Sequence, residues 1–233
     1  MSEILFVIPS SEEHMVLFPE LRSRPKPGDL NTFRSDTGIE FNTLVTGPGA
    51  FLTTYHLGRH LTNHSPSLVV QIGICGTHDP EIGICNIVLI EQDEFTGFGA
   101  EDHSDFIDAN ELGFYTDEPL LKRNDLHYSL DVSNHGSLNN LPFVKGITVF
   151  KATGSAHTAG QIVKKYGRVI ETMEGAAFYY CCNQQQINCI QIRAVSNIAG
   201  PRDRGSWKIE SSLKGLRDYI ERTFYNTNTT DES

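Results

Sequence analysis

Short apolar, β-branched runs alternate along this chain with amphipathic ones. "EILFVI" (3–8) predicts a buried first strand, followed by a polar stretch of helical character from Ser10 onward. "GIEFNTLVTG" (38–47) predicts a strand, and "AFLTTYHLGRHL" (50–61) a helix that Pro66 closes off, since proline cannot continue the hydrogen-bond ladder. "SLVVQIG" (67–73) is a near-continuous apolar run of the kind found in strands covered on both faces, and "NIVLIEQDEF" (86–95) is a further strand. "FVKGITVFKATG" (143–154) predicts a strand ahead of a helix at 156–166, and "RVIETM" (168–173) a strand ahead of a helix at 174–186. "NCIQIRAVSN" (188–197) predicts the last strand. In the final helix, 207–224, Ile209, Leu213, Leu216, Ile220 and Phe224 recur on one stripe.

This alternation predicts an α/β fold with a largely parallel central sheet and helices on both faces. Ligands in such folds bind beyond the carboxyl ends of the strands, and Glu174 and Asn197 each stand at a predicted strand end. Residues 104–142 have weak periodicity and many Asn, Asp, Ser and Gly residues. They are expected to form an irregular excursion or lid on a single domain spanning 1–224, with 225–233 a disordered tail. No internal repeat is present.

Composition narrows the classes of partner. The chain has 233 residues, 39% of them hydrophobic, enough for one large domain with its own core. The net charge of -10 argues against a phosphate-backbone partner, so no nucleic acid is expected. No run approaches the roughly 18 apolar residues of a membrane span, and "MSEILFVIPS" lacks the basic start and cleavage site of a signal peptide. A cytoplasmic protein without a membrane partner is expected. Cys75, Cys85, Cys181, Cys182 and Cys189 form no C-x-x-C pair and are expected to be reduced, small core residues.

The predicted strand ends carry the candidate chemistry. "PSSEE" (9–13), "TGPGA" (46–50), "GICGTH" (73–78), "ATGSAH" (152–157), "TMEGAA" (172–177) and "AVSNIAG" (194–200) supply carboxylates, an amide, hydroxyls and close-approach glycines. "TGPGA" is neither G-x-x-x-x-G-K-[ST] nor G-x-G-x-x-G, which argues against a nucleoside triphosphate or a dinucleotide. Carboxylates suit vicinal ribose hydroxyls, which can donate two hydrogen bonds to one carboxylate. Buried carboxylates are costly unless paired, so Glu171 and Glu174 at a strand-to-helix junction demand a reason. His56, His60 and His64 recur at four-residue spacing in and just beyond the 50–61 helix. No Asp, Glu or Cys at ligand spacing completes that stripe, and no metal is expected.

The motifs "TGPGAFLTTYHLGRHL", "GICGTHDPEIGICNIVLI", "DEFTGFGAED", "ATGS", "ETMEGAAFYYCC" and "IRAVSNIAGPRDRGSW" cover most of the chain. Through them it resembles the purine nucleoside phosphorylase superfamily, in the nucleosidase branch that holds the methylthioadenosine/S-adenosylhomocysteine nucleosidases. Within that branch it is most similar to the futalosine hydrolase family of an alternative menaquinone route. The resemblance implies a three-layer α/β/α nucleoside phosphorylase-like fold with a mixed, largely parallel central sheet. It implies hydrolysis of the N-glycosidic bond of a 6-oxopurine nucleoside such as futalosine, releasing hypoxanthine, with no cofactor.

Residue by residue, the resemblance gives Glu174 the 2′- and 3′-hydroxyls of ribose, with Met173 lining the sugar. It gives the general base to Glu13, with Glu12 the alternative. It gives Asn197 the purine, Ile74 and Gly76 contact with substrate, and His157 the place of an aromatic that stacks on the base. Phe98, Phe106 and Phe114 are expected to mark a homodimer or higher homo-oligomer interface, with Phe106 reaching substrate. Glu171 is expected to be a helix-terminal carboxylate and Arg193 a structural ion-pair residue. The alternatives are a phosphorylase drawing an anion site from Arg22, Arg24 and Arg34, a methylthioadenosine nucleosidase, and a non-catalytic nucleoside-binding protein.

Overall fold

The computed structural model describes residues 3–35, 38–103, 105–122, 126–131 and 136–225. The expected tail at 225–233, apart from Tyr225, which closes a π-helical turn, and parts of the expected lid lie outside the described residues. The chain runs β1 (Ile4–Ile8), α1 (Ser11–Leu17), β2 (Leu30–Arg34), β3 (Glu40–Val45), α2 (Ala50–Leu61), β4 (Leu68–Thr77) and β5 (Ile87–Phe95). It continues through β6 (Gly99–Asp102), β7 (Asp105–Asp108), α3 (Pro119–Lys122), α4 (Gly136–Asn139), β8 (Phe143–Thr148), α5 (Ala156–Tyr166), β9 (Ile170–Thr172), α6 (Gly175–Gln184), β10 (Cys189–Ile198) and α7 (Ile209–Ile220).

The main sheet has the order β10-β5-β8-β9-β4-β1-β3-β2, and β10 also pairs with β4. Strands β4, β10, β5, β8 and β9 therefore close on themselves into a ring, while β1, β3 and β2 extend from it as an open sheet. The pairings β1–β3, β1–β4, β4–β10, β5–β8 and β8–β9 are parallel; β2–β3, β4–β9 and β5–β10 are antiparallel. The sheet is mixed and largely parallel, with helices on both faces.

Alternation along the strands sorts the core into two layers. Val69 and Cys189 face α2 and α6 together with Leu57, Ala176, Phe178 and Tyr179. Val70, Ile190 and Ile192 face the opposite side, toward Leu17, Leu213, Leu216 and Ile220 of α1 and α7. Phe6, Phe18, Phe41 and Phe224 meet there with ring centroids 5.5–5.6 Å from Phe6.

Several boundaries differ from the sequence expectation. The 143–154 strand stops at Thr148, and the following residues leave the sheet as a loop. The last helix keeps its α register only to Ile220 and continues over Glu221–Tyr225 as a π-helical turn, with Ile209 exposed at its start. Strand β2 was not anticipated, because its burial pattern leaves Phe33 as its buried residue. Within 104–142 the described residues include β7, which pairs back on β6 as a hairpin, and two single-turn helices. Cys85 corrects the cysteine expectation: it is exposed, with φ +70°, whereas the other four are buried.

Candidate active site

A cavity of about 340 Å³ opens at one end of the closed ring. Its wall takes Ser10 and Glu13 from the start of α1, Ile74 to Gly76 from β4, Glu171 to Glu174 from the β9–α6 junction, and Ser196 and Asn197 from β10. Loop residues Pro48, Thr153, Arg202 and Trp207 complete it.

Glu13 is placed by the rule that starts a helix. Ser10 is the N-cap of α1, and its hydroxyl oxygen accepts from the Glu13 N–H at 3.2 Å, the serine-to-glutamate spacing of a capping box. The Glu13 carboxylate departs from the usual box. Its Oε2 accepts from Ser10 Oγ at 2.6 Å, and its Oε1 accepts from the Ile74 N–H at 2.9 Å. Burial raises the Glu13 pKa above the ordinary carboxylate value, against the hydrogen bonds from Ser10 and Ile74. Glu12, one residue earlier, is exposed and ion-paired with Arg24 on the surface.

Glu174 is the residue before α6, 5% exposed, and its Oε1 accepts from the Gly49 N–H at 2.8 Å. Beneath Glu13 and Glu174 lies Arg193, fully buried on β10, with Nη2 3.8 Å from Glu174 Oε2. Gly73 on β4 permits this convergence: a Cβ there would lie 2.8 Å from both Arg193 Nη1 and Glu13 Oε1. Arg193 Nε donates to Gln191 Oε1 at 2.9 Å, while Nη1 and Nη2 make no hydrogen bond to a described residue. Gln191 Nε2 in turn donates to Asp93 Oδ2 at 3.2 Å, and Thr148 Oγ1 donates to Asp93 Oδ1 at 2.8 Å. Asp93 is fully buried under Gly146 and Gly175, and burial pushes its pKa up to about 7. Arg193 thus sits under both cavity carboxylates, an ion-pair residue as expected, with Glu174 as its partner.

Asn197 is half-buried at the mouth end of β10, beside a register shift between Val195 and Asn197. Its Oδ1 lies 2.8 Å from Ser196 Oγ, which can donate to it, and its Nδ2 donates to the Ile198 carbonyl at 3.1 Å. The second Nδ2 hydrogen remains for a ligand. Met173, Ile74 and Gly76 share the cavity wall with Glu13, Glu174 and Asn197.

Other expected residues lie elsewhere. His157 is exposed in the first turn of α5 and does not line the cavity. Phe106, on β7, lines an adjoining cleft with Phe150 and Lys165, and the two spaces meet at Thr153. Glu171 corrects the helix-terminal expectation. It is a buried β9 residue whose Oε1 accepts from the Thr153 N–H at 2.8 Å, while Oε2 accepts from Thr153 Oγ1 and lies 3.1 Å from His78 Nε2. Burial works to raise its pKa, but the hydrogen bonds from His78 and Thr153 outweigh it and hold the carboxyl below the ordinary value.

Arg24 pairs with Glu12, Arg34 with Glu40, and both are exposed, as is Arg22; none lines the cavity. Cys75 does line it, but burial pushes its thiol up to about 12, so it is no nucleophile. Among the described residues no group of His, Cys, Asp and Glu is arranged to hold a metal, and His60 and His64 stack at 4.4 Å. No helix among the described residues is long and apolar enough to cross a membrane.

A closed strand ring with carboxylates and an amide lining the cavity at its mouth defines an α/β protein with a small, polar-walled pocket. Residues 44–225 match the model of the Phosphorylase superfamily, and the chain belongs to that family. Futalosine hydrolase of Streptomyces coelicolor is 30% identical over 154 residues, which are 66% of this chain and 63% of that protein. Futalosine hydrolase of Thermus thermophilus is 25% identical over 204 residues, 84% of this chain and 87% of its own length. Among solved structures, a futalosine hydrolase mutant of Helicobacter pylori superposes with a TM-score of 0.70 at 13% identity, over 96% of this chain and 98% of the other. The 5′-methylthioadenosine nucleosidase of Arabidopsis thaliana gives 0.73 at 14% identity, over 98% of each chain. At these identities the structural likeness speaks to the fold.

Proposed function

We propose that this protein hydrolyses the N-glycosidic bond of a purine nucleoside and that futalosine is its substrate, with hypoxanthine as the released base. The observation that carries the reading is the convergence of Glu13 and Glu174 on one cavity with Arg193 beneath both. Similarity to futalosine hydrolases supports the choice of substrate.

In this reading Glu174 accepts hydrogen bonds from the ribose hydroxyls. Positive charge develops on the sugar as the bond to the base breaks, so an anion held there by the Gly49 amide stabilises the transition state more than the neutral substrate. Glu13, its carboxylate oriented by Ser10 and Ile74, takes a proton from the water that adds to C1′. The buried Arg193 guanidinium, its Nη2 3.8 Å from Glu174 Oε2, holds the Glu174 carboxylate in place from beneath the cavity. The bonding electrons leave with the base, and Asn197 donates to its N7 or O6. Arg24 and Arg34 pair on the surface away from the cavity, which leaves Arg202, among the described residues, as the arginine in its wall rather than the arginine-rich site a phosphorylase needs.

The functional unit is a homo-oligomer, most simply a dimer. Phe98 is 51% exposed and Phe114 61%, with ring centroids 6.1 Å apart, and large exposed apolar groups mark interaction surfaces.

Product analysis with futalosine, inosine and methylthioadenosine, each with and without phosphate, tests the reading. Phosphate-independent release of hypoxanthine from futalosine is expected. A rate that requires phosphate, or preference for methylthioadenosine, overturns it.

A further inference from the structure

The hydrolytic steps leave one carboxylate of the cavity without a task. Glu171 shares the wall with Glu13 and Glu174 but stands at the other side of Gly76 from Asn197. The strand register fixes this. Asn197 of β10 pairs with Gly76 of β4, and Gly76 pairs with Glu171 of β9. Adjacent strands lie about 4.8 Å apart, so the two side chains rise from one row of the sheet, roughly 10 Å apart at their Cα atoms. Gly76 leaves the space between them unfilled; a Cβ there would come within 3.3 Å of Asn197 Nδ2. The result is a slot, floored by backbone, with an amide on one side and a carboxylate on the other.

The carboxylate is fixed in place. Thr153 N–H donates to Glu171 Oε1, while Thr153 Oγ1 donates to Oε2 and His78 Nε2 lies within hydrogen-bond distance of it. Two carboxylate oxygens offer about four acceptor directions, so Oε1 retains one for a ligand. Held ionised by these partners, Glu171 accepts and does not donate. It therefore selects a ligand whose facing edge carries an N–H.

We propose that Glu171 is a specificity-determining residue that accepts the N1–H of a 6-oxopurine while Asn197 donates to O6 or N7 across the slot. This rests on the reading of the cavity as a nucleoside site, and it adds the group that reads the Watson–Crick edge. The lactam of a 6-oxopurine presents a donor to the carboxylate and an acceptor to the amide. A 6-aminopurine reverses both, placing the N1 lone pair against an anion. Asn197 alone discriminates weakly, because N7 is an acceptor in both bases; the carboxylate supplies the larger penalty, since a buried charged group facing no donor is the costlier mismatch.

The test uses free bases, so that it does not depend on turnover. Calorimetric binding of hypoxanthine, adenine and 1-deazahypoxanthine, which carries C–H in place of N1–H, is measured on the wild type and on Glu171→Gln. The wild type should bind hypoxanthine about tenfold or more tightly than either of the others. Glu171→Gln should lower the hypoxanthine-to-adenine ratio by about tenfold, as a charged acceptor becomes a neutral one. Equal wild-type affinity for hypoxanthine and 1-deazahypoxanthine overturns the proposal, and that comparison needs no variant should Glu171→Gln fold poorly. An unchanged ratio in a folded Glu171→Gln overturns it as well. If hypoxanthine binds selectively but no nucleoside is cleaved, the hydrolytic reading falls and this one stands. If no base binds, both fall.

Discussion

The Gly49 N–H donates to Glu174 Oε1 at 2.8 Å across 125 residues of chain. Gly49 holds φ +90° and ψ 158°, a conformation that side chains strongly disfavour. No heavy atom lies within 4 Å of a Cβ built there, so Gly49→Ala tests the backbone rather than the packing. The strained turn is expected to relax and swing the amide off the carboxylate. Strain of this kind costs about 1–3 kcal/mol, and kcat should fall about tenfold while KM changes less. Thermal melting together with steady-state kinetics checks both parts; wild-type kcat would show that Glu174 does not need the amide.

Neighbouring glutamates should behave in opposite ways. Glu13→Gln is expected to lose about 10²–10⁴-fold in kcat, the usual contribution of a positioned general base. Glu12→Gln removes an exposed ion pair and should leave turnover within about twofold of wild type, because surface pairs contribute about 0–1 kcal/mol. Because burial raises the Glu13 pKa, the acidic limb of the pH–rate profile should lie above the ordinary glutamate range. A fully active Glu13→Gln would move the base elsewhere.

Replacing Asn197 by Asp places a carboxylate where a 6-oxopurine presents O6 or N7. Two facing acceptors with no proton to share cost about 1–3 kcal/mol, more when one is charged, or roughly tenfold to several-hundredfold. Asn197→Asp is expected to lose that much in kcat/KM on futalosine and inosine, while its relative rate on the matched 6-amino nucleoside rises. If the ratio does not move, Asn197 does not read the base.

Asp93 makes stability depend on pH in a defined window. Its pKa is about 7 in the folded protein and about 3.9 in an unfolded chain. Between those values the folded state binds more protons, so this group's contribution to stability falls as pH rises and levels off above 7. His14 acts in the opposite sense, since burial pushes its pKa down to about 4. The difference between wild type and Asp93→Asn isolates the carboxyl. From pH 5 to pH 8 the wild type should lose on the order of a few kcal/mol relative to the variant, readable by urea denaturation. Parallel curves would mean that Asp93 titrates normally.

If the proposed dimer forms through these rings, Phe98→Ser combined with Phe114→Ser should give a monomer in light scattering at micromolar concentration and lower activity on futalosine. A wild type that is already monomeric and fully active would remove the oligomer from the functional reading.

How legible was this in the chain? The buried central strands were, because β-branched runs such as "SLVVQIG" bury both faces and leave an unambiguous pattern, whereas the mostly exposed β2, β6 and β7 were not. Glu174 was legible through its motif, and Asn197 through its position at a strand end. The choice between Glu12 and Glu13 had a signal in the Ser10-to-Glu13 capping spacing, which points the latter back toward the cap. Arg193 was legible as an ion-pair residue, but its partner was not, since an arginine inside "IQIRAV" breaks the apolar pattern without showing which carboxylate lies above it. Glu171 and His78 were hidden: their pairing across 93 residues depends on the antiparallel β4–β9 register, which no local pattern encodes.

The closed ring also sets when the site can come into being. Strand β10 joins β4 to β5, and the bond from Ser196 Oγ to the Cys75 carbonyl spans 121 residues. Parallel pairings between such distant segments are slow to form. As the chain emerges from the ribosome, β4 lacks its β10 neighbour until Cys189–Ile198 has been made, leaving a strand edge open to wrong partners. The same step brings in Arg193, Gln191 and Asn197 together. Synthesis therefore yields no half-active intermediate: nascent chains stalled before Cys189 should fold loosely, aggregate and cleave nothing, and competence should arrive only with the last strand.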